Sequence, residues 1–246
     1  MCLRISRIMD IYHDIIKSVR AKQPLLAVLF DPDKTKEINH NVISAIDRSM
    51  ASHILVGGSE ARTKETEFLV KNIKSKSSLP VLLFPGDVSQ LTPEADGLLF
   101  LSLISGRNPE YLIGKHVKAA SVLNGHKIEV IPTGYILVEN GKVTSVEKVT
   151  NTKPLSRDEH DVIVHTAVAG ELLGMKLIYL EAGSGAIHSV DIELIEKVKD
   201  ALNIPLIVGG GFKSRSQIEA AFTAGADMVV VGTAIEEDVN FISELQ

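Results

Sequence analysis

Short apolar runs alternate along the chain with longer stretches of helical period. The runs fall at 25–30, 53–56, 81–84, 97–101, 128–131, 177–180, 206–208 and 228–231. Between them the period predicts helices near 35–49, 63–75, 108–123, 158–173, 190–202, 214–224 and 234–244, after a leading one near 10–20. Runs this apolar suit strands buried on both faces, which means a parallel sheet covered by helices. Eight such units in 246 residues predict an α/β fold of one closed (β/α)8 TIM barrel, which typically takes about 250 residues. Gly174 and Gly225 follow predicted helices as left-handed caps, and Asn203 and Pro205 close another. Two places break the alternation. The linker Pro85–Glu94 is too short and too punctuated for a helix, so the third barrel helix is expected to be missing. Asn140-Gly141 between the alternating stretches 135–138 and 143–147 reads as a type I′ turn, hence a β-hairpin insertion after strand five. Residues 1–8 read as an N-terminal extension, Met9 as a second possible start, and 9–246 as one domain.

Composition narrows the classes of function. The single Cys2 excludes an internal disulfide and a multi-cysteine metal centre, and suits a reducing compartment. A net charge of −5, no tryptophan and 4% aromatic residues argue against a nucleic-acid surface. No apolar run approaches the roughly 20 residues of a membrane span. The expectation is a cytoplasmic protein with at most peripheral membrane contact.

In such a barrel the chemistry sits just after the strands. Those positions hold Asp31-Pro32-Asp33-Lys34, Gly57-Gly58-Ser59-Glu60, Glu181-Ala182-Gly183-Ser184-Gly185, Gly209-Gly210-Gly211 and Gly232-Thr233-Ala234. Glycine loops that open helices let main-chain N–H groups meet an anion, and the loops after strands seven and eight are the habitual phosphate site. Tight strand-to-helix turning also demands glycine, so each loop alone leaves both readings open. Asp33 is favoured as a helix cap and Asp31 as an oxygen ligand for Mg²⁺, which takes one or two carboxylates and completes its shell with water and phosphate oxygens. Ser59 is either a further ligand or a turn residue. Glu181 follows an apolar strand, where desolvation would raise its pKa and suit it to accept a proton; the alternative is a structural glutamate, paired with a lysine at the barrel top or bonded to loop N–H groups. Tyr179 points the same way as Glu181, towards a phosphate or as barrel filling. His53 starts a strand, at the wrong end for catalysis, and His165 and His188 read as surface or packing residues.

The stretch Tyr179-Leu180-Glu181-Ala182-Gly183-Ser184-Gly185-Ala186 resembles the signature of the geranylgeranylglyceryl and heptaprenylglyceryl phosphate synthases. Asp31-Pro32-Asp33-Lys34, Gly57-Gly58-Ser59, Pro132-Thr133-Gly134-Tyr135-Ile136, Val208–Gly211 and Val231-Gly232-Thr233 support it in the same order. Gly232-Thr233 and Ser59 resemble the family's second group, which implies a homo-oligomer, dimer or hexamer. The resemblance implies a Mg²⁺-dependent prenyltransferase that joins a polyprenyl diphosphate, usually geranylgeranyl, to sn-glycerol 1-phosphate and forms an ether lipid precursor. It implies Asp31 and Ser59 on the metal. It implies Tyr179, Leu180, Glu181, Ala182, Gly183, Ser184, Gly185, Gly209, Gly210, Gly211, Gly232 and Thr233 on glycerol phosphate, with Glu181 taking the proton. The prenyl groove is expected beside 162–173 and the space of the absent third helix. A sugar-phosphate isomerase or lyase shares the glycine loops, and a non-catalytic phosphoglycerol- or lipid-binding barrel is the other competing reading.

Overall fold

A computed structural model of the chain describes residues 10–35, 37–58 and 63–246; the extension 1–8, Met9 and Ser59 lie outside the described residues. Eight parallel strands close in chain order into a barrel: β1 (Leu25–Phe30), β2 (Ala51–Val56), β3 (Val81–Leu83), β4 (Gly97–Leu103), β5 (Glu129–Leu137), β6 (Leu177–Glu181), β7 (Leu206–Gly209) and β8 (Met228–Val231). Around and below them run α1 (Ile11–Arg20), α2 (His40–Asp47), α3 (Thr63–Lys74), α4 (Gly114–Leu123), α5 (Ser145–Thr150), α6 (His160–Leu172), α7 (Ile192–Ala201), α8 (Arg215–Thr223), α9 (Thr233–Glu237) and α10 (Phe241–Glu244).

Alternation along each strand divides the core in two. On β1, Leu26, Val28 and Phe30 pack outward against helices, while Leu25 and Ala27 fill the barrel. On β6, Ile178 and Leu180 point out and Leu177 and Tyr179 point in. The period-2 pattern therefore aims Glu181, the last residue of β6, into the mouth. Helix α1 stoppers the opposite end through Ile11 and Ile15. The Glu129 carboxylate at the start of β5 accepts the free amides of Ile11 and Tyr12, at 2.6 and 3.0 Å, and so fixes the first turn of that stopper. Gly174 and Gly225 adopt φ +92° and +102°, the left-handed geometry expected of them.

After β3 the chain makes only a 3-10 turn, Val88–Gln90, so the third helix is absent as expected. Three expectations need correction. The hairpin after β5 does not form. β5 runs on through Pro132 to Leu137, Val138 makes a single parallel bridge to Leu155, and residues 145–150 are helical. Thr144 accepts the amide of Glu147 at 3.0 Å, so it is the N-cap of this helix and not an alternating strand residue. Asp33 does not cap the next helix, which starts later than 35: Asn39 is its cap and accepts the amide of Asn41. The last helix is broken where the Asp238 side chain captures the amide of Asn240 at 2.9 Å and diverts the backbone.

Candidate functional site

The carboxyl ends of the strands surround a cavity of about 280 Å³. Among the residues that line it are Asp31 and Lys34 after β1, Gly58 after β2, Glu181 to Gly185 without Ala182 after β6, Gly210 and Gly211 after β7, and Gly232, Thr233 and Glu236 after β8. Phe84, Tyr135 and Tyr179 form the floor. Phe84 stacks on Tyr179 with ring centroids 5.1 Å apart, and Tyr135 meets Tyr179 at 5.5 Å.

Glu181 stands on this aromatic floor, buried to 6% exposure. Burial raises its pKa to about 7, against the opposing pull of the Gly183 amide, which donates to Oε1, and of the Tyr179 hydroxyl. That hydroxyl is buried close to the carboxylate but outside the geometry of a full hydrogen bond. Burial also pushes the Tyr179 phenol well up, so it stays protonated beside the acid. A carboxyl group that titrates near neutrality can take up a proton and release it again.

The glycines serve two ends. A Cβ at Gly209 would lie 2.3 Å from the Tyr179 hydroxyl and 2.9 Å from Glu181 Oε2. At Gly210, where φ is +87°, it would lie 2.5 Å from Glu181 Oε1 and 2.6 Å from the Gly183 nitrogen. Both therefore make room for the acid, and Gly209 lies below the cavity. Gly183, Gly185 and Gly211 have positive φ and bend the loops over the mouth. Ser184 Oγ lies 3.1 Å from Thr233 Oγ1, which accepts the Gly185 amide at 3.2 Å, so the loops after β6 and β8 meet in one concave rim. Leu180 packs outward into the helical layer, and the Ala182 amide is spent on the carbonyl of Gly209 at 3.0 Å. Of the named set, these two side chains and Gly209 do not face the cavity.

Asp31 holds its own turn: Oδ1 accepts the Asp33 amide at 3.0 Å. Gly58 is what lets the carboxylate sit here, since a Cβ there would fall 2.2 Å from Oδ1. Half-burial raises the Asp31 pKa, with the Asp33 amide and Lys34 opposing. Glu236 lies alongside, paired with Lys34 at 2.9 Å. Among the described residues no cluster of three His, Cys, Asp or Glu side chains could cage a metal. The donor set fits Mg²⁺ in its usual mode, one carboxylate with water and substrate oxygens completing the shell.

Two residues that brace the site from behind its wall were not picked out as site residues from the sequence. Gln90, fully buried in the 3-10 turn, donates to the Gly58 carbonyl at 2.8 Å and accepts the Gly86 amide at 3.1 Å, which pins the loops after β2 and β3. Asn140 is buried and donates to the Ala182 carbonyl, and its turn presses Thr144 on Gly183. From the mouth the cavity runs sideways over the missing helix, between Leu91, Phe100, Ala119, Val146 and Val149. Residues 162–173, expected to flank it, instead line a separate surface hollow with Ile104, Arg107 and Leu112. His53 is buried at the floor end of β2, and His165 and His188 are exposed, so none of the three joins the site.

A model of the PcrB family matches residues 17–246. A protein of Zunongwangia profunda named geranylgeranylglyceryl phosphate synthase is 51% identical over 222 residues, which is 90% of this chain and 95% of that one. One of the same name from Pyrococcus horikoshii is 39% identical over 96% and 91% of the two chains. Among solved structures, (S)-3-O-geranylgeranylglyceryl phosphate synthase from Thermoplasma acidophilum in complex with substrate sn-glycerol-1-phosphate matches with a TM-score of 0.89 and 34% identity, covering 96% of each chain. The tryptophan synthase α-subunit of Pyrococcus furiosus, at TM-score 0.54 and 16% identity, shares the fold alone. With a family model over nearly the whole barrel and relatives well above 30% identity across it, this chain belongs to the PcrB family.

Proposed function

We propose that the chain joins sn-glycerol 1-phosphate to geranylgeranyl diphosphate, giving an ether-linked prenylglyceryl phosphate and free diphosphate. The observation that carries this reading is Glu181: a buried carboxyl group with a pKa near 7, on an aromatic floor, beneath a rim of glycine loops and across the mouth from Asp31. The acceptor's phosphate sits against the rim of Ser184, Gly185, Gly211 and Thr233, which leaves its hydroxyl over Glu181. The allylic C1–O bond of the donor breaks, the acceptor oxygen bonds to C1, and diphosphate departs with the bonding pair. Glu181 takes the hydroxyl proton. Since the hydroxyl is a weak nucleophile, most of the acceleration comes from holding it in line with C1. Asp31, with Ser59, would hold Mg²⁺, which supplies charge neutralisation to the leaving diphosphate. The prenyl tail lies in the apolar arm between Leu91, Phe100, Ala119, Val146 and Val149, the space vacated by the third helix. The tail also makes peripheral membrane contact part of the proposal, for an otherwise cytoplasmic homo-oligomer, a dimer or hexamer; no helix among the described residues is long and apolar enough to cross a membrane.

The test is incorporation of labelled glycerol 1-phosphate with C15, C20 and C35 diphosphates, with Glu181→Gln and Asp31→Asn alongside. Product with the C20 donor, and large losses in both variants, are expected. No product with any donor would overturn the reading.

A further inference from the structure

We infer that Lys34 grips the acceptor's phosphate and that Glu236 is the residue that positions it; the inference rests on the reaction proposed above. Lys34 ends the turn after β1, where its amide donates to the Asp31 carbonyl at 3.1 Å. From there its side chain reaches across the mouth. Nζ stands 2.9 Å from Glu236 Oε2 and 3.4 Å from Ser184 Oγ, at the edge of the rim that Ser184 and Thr233 form. An ammonium group carries three N–H donors, and these two contacts leave one for a phosphate oxygen.

The electrostatics of the cavity call for such a cation. Asp31, Asp87, Glu181, Glu236 and Glu237 all line it, and a phosphate dianion that entered past them would meet five carboxyl groups. Main-chain amides offer dipoles but no net charge. Two further lysines line the wall: Lys115 is already committed to Asp87 and the Tyr111 hydroxyl on the groove side, and Lys213, beyond the glycine loop after β7, is exposed. Lys34 is nearly half exposed and its pairing with Glu236 faces solvent, where ion pairs contribute little to stability. That leaves it free to share its charge with a ligand. Glu236 is better fixed. Its side chain is 12% exposed, and Oε1 accepts the Asp31 amide at 3.3 Å while Oε2 holds the lysine.

The experiment is calorimetric titration of glycerol 1-phosphate, without donor or divalent ion, into the wild type, Lys34→Met, Lys34→Arg and Lys142→Met. Lys142 stands against the same β6 loop, its Nζ 3.0 Å from where a Gly185 Cβ would be, but is not among the residues that line the cavity, and serves as the control for a general field effect. Lys34→Met is expected to weaken binding about tenfold to a hundredfold, the range for a charged hydrogen bond, at an unchanged melting temperature. Lys34→Arg should keep most of the affinity and Lys142→Met all of it. Glu236→Gln should change the affinity more in the wild-type background than in Lys34→Met, the difference being the part that acts through the lysine. An equal effect in both backgrounds would remove Glu236 from the account. An unchanged affinity in Lys34→Met, or a loss matched by Lys142→Met, would overturn the inference. So would a rise confined to the KM of the prenyl diphosphate, which would put Lys34 on the other substrate. If the wild type binds no glycerol 1-phosphate, the proposed reaction falls together with the inference; if it binds and Lys34→Met binds equally, only the inference falls.

Discussion

The acid at the end of β6 is handled in the opposite way to the acids at the other end of the barrel. At the floor of the barrel itself, opposite the mouth, three acids are matched by the chain's own donors. Glu129 takes two amides of α1, Asp96 takes the Val81 amide at 2.9 Å and Lys74 at 2.6 Å, and Asp227 takes the Leu206 amide at 2.7 Å and Lys199 at 2.6 Å. At the mouth Glu181 is more deeply buried, receives one amide, and among the described residues no lysine or arginine pairs with it. Donors that are complete make an acid structural and inert. Leaving the donors incomplete in a dry place holds the acid close to neutrality, where it can exchange a proton. The floor follows the same rule for a base: His53 is buried there, pushed down to about 4, and neutral at pH 7.

That contrast can be broken residue by residue. The largest effect is expected from Gly210→Ala, which combines a φ of +87° with a methyl group 2.5 Å from Glu181 and 2.6 Å from a backbone nitrogen. Left-handed strain and overpacking together should cost about 3–5 kcal/mol in denaturant unfolding, and prenyl transfer should fail even in the molecules that stay folded. Asp227→Ala at the floor strands the Leu206 amide and Lys199. It should lose roughly 2–3 kcal/mol with kcat/KM unchanged per folded molecule. Gly174→Ala meets the same left-handed requirement at φ +92° but open space, so about 1 kcal/mol is expected and no change in activity.

The smallest effect concerns pH. Because the folded-state pKa of Glu181 is raised from 4.5 to about 7, its share of stability is whole below pH 4.5 and is lost as pH climbs towards 7. His53 is lowered from 6.5 to about 4, so its share is whole above 6.5 and is lost as pH falls towards 4. The two oppose each other in the overlap, and the wild-type melting temperature should vary little there. Glu181→Gln removes the opposing slope, so the melting temperature should rise more steeply with pH from 4 to 6.5 than in the wild type.

The barrel was legible because eight strands buried on both faces leave continuous apolar runs, and the missing helix was legible because Pro85–Glu94 is dense in turn residues. What escaped was local competition. Asn140-Gly141 does turn, but a buried hydrogen bond to Ala182 pulls the asparagine inward, and the Thr144 N-cap, present in the sequence, starts a helix where 143–147 read as a strand. Asp33 looked like a cap because the β1–α2 loop had no visible length until Asn39 took the role. At the site, strand ends alone pointed to Asp31, Glu181 and the glycine loops. That Gly209 and Gly210 house the acid as well as shape the rim depends on two loops far apart in the chain. Gln90, Glu236 and the reach of Lys34 depend on such distant contacts as well, which periodicity does not record.

The central claim is that the desolvated acid at the end of β6 accepts the proton of the attacking hydroxyl. Its most direct test is the pH dependence of kcat/KM for prenyl transfer, measured for the wild type and for Glu181→Gln. The account predicts a rate that rises with pH through an apparent pKa near 7 in the wild type. In the variant that limb should vanish, together with about a hundredfold or more of the rate. A variant that keeps both the limb and a near-wild-type rate would contradict it.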